Sequence, residues 1–231
     1  MKIEANLLHV KFLKRYKRFF VDVEHNKKII TAHCPNSGSM LGLLNIGNDS
    51  WISKSDNPNR KLQYTLEIIN DNKSNVGVNT HRANKIVEEA LNNKLISEFK
   101  KFDEVKREVK FNAETRFDFL LKNKKTKAFL EVKNVTLSRN RNVSEFPDAI
   151  TSRGKKHLVH LQDAIKKGFD SYLLFLVQRE DAKEFQIAKD IDSKYYDEIK
   201  KAKKNGVKIF AYSCKVNNKE ISVNKKIKVK L

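Results

Sequence analysis

Between residues 12 and 79 the chain crowds together five strand-like segments: FLKRYKRFFVDVE, KKIITAHC, DSWISK, KLQYTLEIIN and NVGVN. Turn-rich pieces such as NSGS, NIGND and SDNPN separate them. Short strands at this density need a way to bury a common apolar face, and a small closed or partly closed barrel is the expected solution.

Between the second and third segments, Ser39 is placed to cap a short helix through MLGLL, the position at which an OB-fold carries its helix. An OB-like barrel is therefore expected over residues 1–80. The pattern changes near Thr80. In THRANKIVEEALNNK, Ala83, Ile86, Val87, Ala90 and Leu91 fall on one helical face, with Thr80 as the expected cap. Beyond it, VKREVKF, RFDFLL, KAFLEVKNV, SYLLFLVQ and VKIFAYSCKV read as strands, with helices from about Thr151 to Lys167 and near Ser193 to Lys204. That alternation predicts a second domain, residues 81–231, built on a mixed α/β sheet. Its junction with the barrel has no glycine- or proline-rich linker, so the two parts are expected to pack closely.

Composition narrows the partner. The 231 residues hold 48 Lys+Arg against 28 Asp+Glu, a formal charge of +20. The excess is spread along the chain rather than held in a tail, which points to a polyanion such as nucleic acid, a solubility effect being the alternative. No apolar run approaches a membrane span and the N-terminus lacks a signal-peptide pattern, so a cytoplasmic location away from membranes is expected. Cys34 and Cys214, far apart and outside any CxxC, exclude a disulfide framework or a zinc ribbon.

The sharpest chemical signal is Asp118 in RFDFLL followed by Glu131 and Lys133 in FLEVKNV. Adjacent strands joined by NKKTK let the two carboxylates converge, and period-two alternation sets Glu131 and Lys133 on one face. Such a pair suits Mg²⁺ or Mn²⁺, which takes a few carboxylate oxygens and several waters, while Lys133 can orient a water or balance charge on a phosphorane. Phe129, Leu130 and Val135 make the strand look buried, which argues against a merely solvated hairpin. The segment resembles the PD-(D/E)xK nuclease superfamily, with Phe117 in place of the usual proline. A literal Pro147-Asp148 and a literal Asp181-Ala182-Lys183 are set aside, because a helix and a strand intervene and QREDAKEF is too polar for an inner strand.

The strings RYKRFFVDV, TAHCPNSGSMLGLL, NPNRKLQYTLE, VGVNTHRANKIVEEAL, RFDFLL, EVKNVTL, FPDAITSRGKKHL and LFLVQR, in this order, resemble the sugar fermentation stimulation protein A family nearly end to end. The resemblance implies an OB-like barrel followed by a restriction-endonuclease-like domain, DNA binding, and a regulatory role in sugar use. It sets Asp118, Glu131 and Lys133 on the nuclease motif and offers Glu88 or Glu89 as a further metal carboxylate. Helical geometry does not choose between those two, and a surface glutamate beside Lys85 is the alternative for each.

For nucleic acid, the first strand interleaves Phe12, Tyr16, Phe19 and Phe20 with Lys14, Arg15, Lys17 and Arg18, a pattern suited to base stacking and phosphate contact. A barrel needs inward aromatics in any case. At the start of the second long helix, Arg153, Lys155, Lys156 and His157 follow a capping Thr151 or Ser152 and form a prospective phosphate site. His157 and His160, spaced i, i+3, are read as packing or surface histidines rather than metal ligands. Three functions stay open: a Mg²⁺-dependent phosphodiesterase acting on single- or double-stranded DNA, a non-catalytic DNA-binding regulator of sugar metabolism genes, and a basic interaction protein.

Overall fold

A computed structural model describes residues 1–3 and 7–231. The first part holds strands β1 (Leu8–Tyr16), β2 (Phe20–His25), β3 (Lys28–His33), β4 (Asp49–Lys54), β5 (Tyr64–Asn70) and β6 (Asn75–Gly77) in the order β3-β2-β1-β4-β5-β6. A β3–β5 pairing at His33 and Thr65 closes five of them into a barrel and leaves β6 outside the ring, paired to β5. Inside sit Val10, Phe12, Val21, Val23, Ala32, Met40, Leu43, Ile52 and Leu66.

Two sequence expectations need correction here. FLKRYKRFFVDVE is a hairpin and not one strand: Lys17 and Arg18 take φ of 46° and 63° and turn the chain between β1 and β2. MLGLL forms a turn and no helix. Met40 (φ 54°) and Gly42 (φ 82°) leave the right-handed helical region, and Ser39 Oγ donates to Asp148 O (2.7 Å).

The second part contains α1 (Ala83–Asn92), β7 (Glu104–Lys110), β8 (Arg116–Lys122), β9 (Lys127–Val135), β10 (Leu137–Asn140), β11 (Val143–Phe146), α2 (Ser152–Lys166), β12 (Asp170–Val177), β13 (Glu184–Ile187), α3 (Ser193–Lys204), β14 (Lys208–Val216) and β15 (Ile221–Lys230). Its nine-stranded sheet runs β10-β11-β13-β15-β14-β12-β9-β8-β7, with a parallel centre β9-β12-β14 and antiparallel β7-β8-β9. Helix α1 covers one face with Ala83, Ile86, Val87, Ala90 and Leu91, the face read from the sequence. Helices α2 and α3 cover the other through Leu158, Leu161, Tyr195 and Ile199.

A 3₁₀ turn, Thr80–Arg82, precedes α1, and its cap is Asn79, whose side chain accepts from His81 N; Thr80 Oγ1 instead donates to Pro35 O (2.7 Å). For α2 the expected cap holds: Thr151 accepts from Gly154 N. Strand β13 shows that the polar stretch ending in EFQI does enter the sheet, burying Phe185 and Ile187 while Glu184 and Gln186 alternate outward.

The junction between the two parts is strongly bonded. Arg179, 1% exposed, donates to Asp71 in the β5–β6 turn and to Asp181, both at 2.8 Å, and to Thr136 O. Asp148 Oδ2 accepts from Met40 N (3.2 Å), and Gly38 passes so close that a Cβ there would meet Asp148 Oδ2 at 2.2 Å. Asp148, the acid of one literal motif set aside above, thus joins the domains, while Asp181, the acid of the other, holds the arginine that reaches Asp71. Cys34 and Cys214 are free and buried. Among the described residues no helix is long and apolar enough to cross a membrane.

Candidate metal and nucleic-acid site

Strands β8 and β9 pair from Lys122↔Lys127 to Phe119↔Leu130 and then part. The next rung would set Asp118 against Glu131. Instead the Asp118 side chain fills the gap: Oδ2 accepts from Val132 N (2.7 Å) and Oδ1 from Asn84 Nδ2 of α1 (2.7 Å). Glu131, 2% exposed, accepts at Oε1 from Lys133 Nζ (2.6 Å) and from His157 Nδ1. Arg153 Nε donates to His157 Nε2 at 3.4 Å, which fits a ring carrying its proton on Nδ1. Lys133 Nζ lies 3.5 Å from His157 Nδ1. Phe117, in the slot of the motif's proline, is fully buried with its ring nearly perpendicular to that of His157.

The electrostatics of the carboxylates diverge. Burial first, and then the charge of Glu131, push the Asp118 carboxyl up to about 7. Burial opposes ionisation of Glu131 as well, but Lys133 and His157 outweigh it and hold that carboxyl below its ordinary range. The two carboxyls are thus driven apart, Asp118 towards its protonated form and Glu131 towards its ionised one.

A divalent ion fits this arrangement on two counts. Glu131 Oε2 is buried and has no hydrogen-bond partner, an orphaned hard oxygen, and a cation beside the pair would favour the ionised Asp118 against the burial and the Glu131 charge that raise it. Among the described residues no group of three His, Cys, Asp or Glu could hold a metal, and an ion at this pair would have only Asp118 and Glu131 as side-chain ligands, with waters completing the shell, as Mg²⁺ tolerates.

This upward shift at Asp118 has a measurable consequence. An unfolded Asp ionises near 3.8 and the folded one near 7, so stability is fully present below about pH 4, declines as pH rises towards 7, and stays reduced above it. Asp118→Asn removes that decline and is expected to stabilise the metal-free protein at pH 8 by roughly 2–4 kcal/mol, with little change at pH 4. Urea unfolding at the two pH values, in EDTA, measures it; equal losses at both would refute a protonated Asp118.

The other expected residues separate into distinct places. Glu88 pairs with Arg107 (3.0 Å) and Glu89 with the N-terminal amine (2.7 Å), so neither is brought to Asp118. Asn84, one turn before Glu88 on the same side of α1, takes that place. Its signal was an amide where a carboxylate was sought. His157, expected at a phosphate, lies against Glu131 instead, while His160 meets Thr115.

Arg153 remains exposed beside a groove with Arg116 and Lys156, and Lys156 pairs with Glu114 (2.7 Å); Lys155 is half-buried. Arg15 is a structural clamp rather than a free cation, donating to Arg18 O, Gly38 O and Asn36 O at 2.6–2.8 Å. Tyr16 OH donates to Asp22, Lys14 sits 3.5 Å from the same carboxylate, and Phe12 lies in the barrel core. Of the first-strand set, Lys14 is exposed along the strand, and Lys17, Arg18 and the 42%-exposed Phe19 stay turned to solvent at the hairpin tip.

A closed five-strand barrel, followed by a mixed sheet that brings Asp, Glu and Lys together where two strands part, defines a protein with an OB-like domain and a restriction-endonuclease-like domain. Sequence comparison matches residues 13–78 to the SfsA N-terminal OB domain and residues 81–220 to the sugar fermentation stimulation protein RE domain. The chain belongs to the sugar fermentation stimulation protein family. It is 57% identical to the sugar fermentation stimulation protein homolog of Pelagibacter ubique, over 99% of each chain. With the homolog of Maricaulis maris it shares 40% identity, over 100% of this chain and 99% of the other. The fold is that of Pyrococcus furiosus SfsA, solved in complex with Ca²⁺, at a TM-score of 0.90, 24% identity and coverage of 100% and 98%.

Proposed function

We propose that the chain is a cytoplasmic DNA-binding protein whose second domain carries a Mg²⁺- or Mn²⁺-dependent phosphodiesterase site. The observation that carries this reading is the pair Asp118 and Glu131, with an unpartnered, buried Glu131 Oε2 and Lys133 on the same strand face. A bound ion would supply Lewis-acid activation of a phosphate oxygen and of water. Asn84 orients Asp118, His157 orients Glu131, and Lys133 is placed to donate to a phosphate oxygen as charge grows on it. The Ca²⁺ complex of Pyrococcus furiosus SfsA accords with a hard-ion site. The +20 charge supports a polyanionic partner.

A second reading, a non-catalytic DNA-binding regulator of sugar metabolism genes on a nuclease-like scaffold, is favoured by one feature. Both oxygens of Asp118 already accept hydrogen bonds from the protein. Labelled single- and double-stranded DNA incubated with the protein in Mg²⁺, Mn²⁺ or EDTA separates the two. The enzyme reading expects retention that weakens steeply with salt and cleavage only with metal. Retention without cleavage selects the regulator, and a flat plot of log K against log salt ends the DNA-binding reading.

A further inference from the structure

The cationic first strand is the conspicuous basic feature of the sequence, yet the wider basic groove lies elsewhere. It encloses about 810 Å³ between the barrel, α1 and β7, and is lined by Lys2, Lys54, Arg82, Lys85 and Arg107 against two acids, Asp56 and Glu88. Lys54 comes from barrel strand β4, Lys85 from α1 and Arg107 from β7, so both domains form its walls. Two of the lining groups are already neutralised: Arg82 pairs with the buried Glu67 (2.5 Å) and Arg107 with Glu88 (3.0 Å). The N-terminal amine of Met1 is held by Glu89 and Ile221 O. Lys54 and Lys85 are exposed, and no ion pair of the described residues engages either. Lys2, also exposed and in no ion pair among the described residues, lines the same trough, and these ammonium groups attract an anion that can bridge them.

The position of the trough matters as much as its charge. Lys85 follows Asn84, the residue that bonds Asp118. Arg107 pairs across β7–β8 with Phe119, the neighbour of Asp118, and adjacent strands stand about 4.8 Å apart. A phosphate chain seated in the trough therefore runs along the helix and strand that border the carboxylate pair. The hairpin tip with Lys17 and Arg18 lines a separate groove of about 460 Å³ with Ser37, Gly38, Ser39 and Ala149.

We propose that the groove between the barrel and α1 is the track for the phosphate backbone of the nucleic acid, with Lys54 and Lys85 as its principal contacts and Glu88 as a charge that restrains it through Arg107. This rests on the DNA-binding reading above and names the surface that serves it.

The test uses fluorescence anisotropy of labelled single- and double-stranded DNA with the full chain in EDTA, so that cleavage does not intervene, across a series of salt concentrations. The double variant Lys54→Ala/Lys85→Ala is expected to lose about tenfold in affinity at low salt. Its salt slope should flatten by about 1.8 on duplex and about 1.4 on single strand, two phosphate contacts' worth. Glu88→Gln is expected to move the other way and tighten binding, since it frees Arg107. All the replaced groups lie outside the buried core, so matching thermal melts confirm intact folding.

If the wild-type chain binds with a steep salt slope and the double variant keeps both affinity and slope, the groove is not the track. The groove is equally excluded if only Lys17→Ala/Arg18→Ala flattens the slope. A wild-type chain without salt-dependent binding overturns both this inference and the DNA-binding reading on which it stands.

Discussion

Arg179→Ala is expected to destabilise the protein by about 3–5 kcal/mol, because it leaves two carboxylates at the domain junction without their cation. Arg179 is 1% exposed and the Asp71 side chain is also buried, so the pair meets where water cannot replace the lost partner. The same guanidinium bonds Asp181 and Thr136 O, and Val76 bridges to Arg179 through the backbone. Asp71 belongs to the barrel and Asp181 to the second domain, so one side chain couples the two.

Trp51, the single tryptophan, lies in barrel strand β4 and packs against the α1-side core of the second domain, so its fluorescence reports on the junction. Urea unfolding followed by Trp51 emission and by far-UV circular dichroism should coincide in the wild type. In Arg179→Ala the midpoints should fall and the two signals should separate as the barrel uncouples. A loss below about 1 kcal/mol with coincident signals would reduce the cluster to a dispensable contact.

Arg179 also marks the limit of what the sequence discloses. Short-range patterns carry far: the apolar face of α1, the α2 cap at Thr151 and the alternation that sets Glu131 beside Lys133 are all fixed within a few residues. The convergence of Asp118 on Glu131 is legible for the same reason, since the short turn between Lys122 and Lys127 fixes the register of β8 on β9. What escapes is decided between distant segments. Asn84 reaches Asp118 across 34 residues, and Arg15 spends its donors on carbonyls from Asn36 to Ser39. Nothing in the composition of the first strand distinguishes a clamping arginine from a phosphate-binding one.

Two departures among the strands have local causes. Lys17 and Arg18 take positive φ where no glycine or asparagine announces a turn. Strand β15, ISVNKKIKVK, does alternate, but four lysines in ten residues mask the buried Ile221 and Ile227 that hold it to the core.

Lys133→Ala bears on whether the site does chemistry. Lys133 Nζ is 2.6 Å from Glu131 Oε1 and only 14% exposed, so in the resting protein it neutralises, together with His157, the carboxylate whose Oε2 has no partner. Were an ion to take over that neutralising task, the Lys133 ammonium would be free to donate to phosphate oxygens on which charge grows, an interaction that would be strongest in the transition state. Metal-dependent cleavage should therefore fall by about 10²-fold or more, while DNA affinity in EDTA stays close to that of the wild type, because one half-buried cation contributes little to a binding surface spread over the molecule.

Metal affinity should hold or rise, since removing the lysine removes a positive charge from beside the ligands. Lys133→Arg keeps the charge but replaces a compact ammonium with a planar fork, and should recover only part of the rate. If the wild-type chain cleaves no form of DNA with Mg²⁺ or Mn²⁺ while Lys133→Ala binds DNA as the wild type does, the triad is a fold remnant. The second domain is then a scaffold that presents the basic groove.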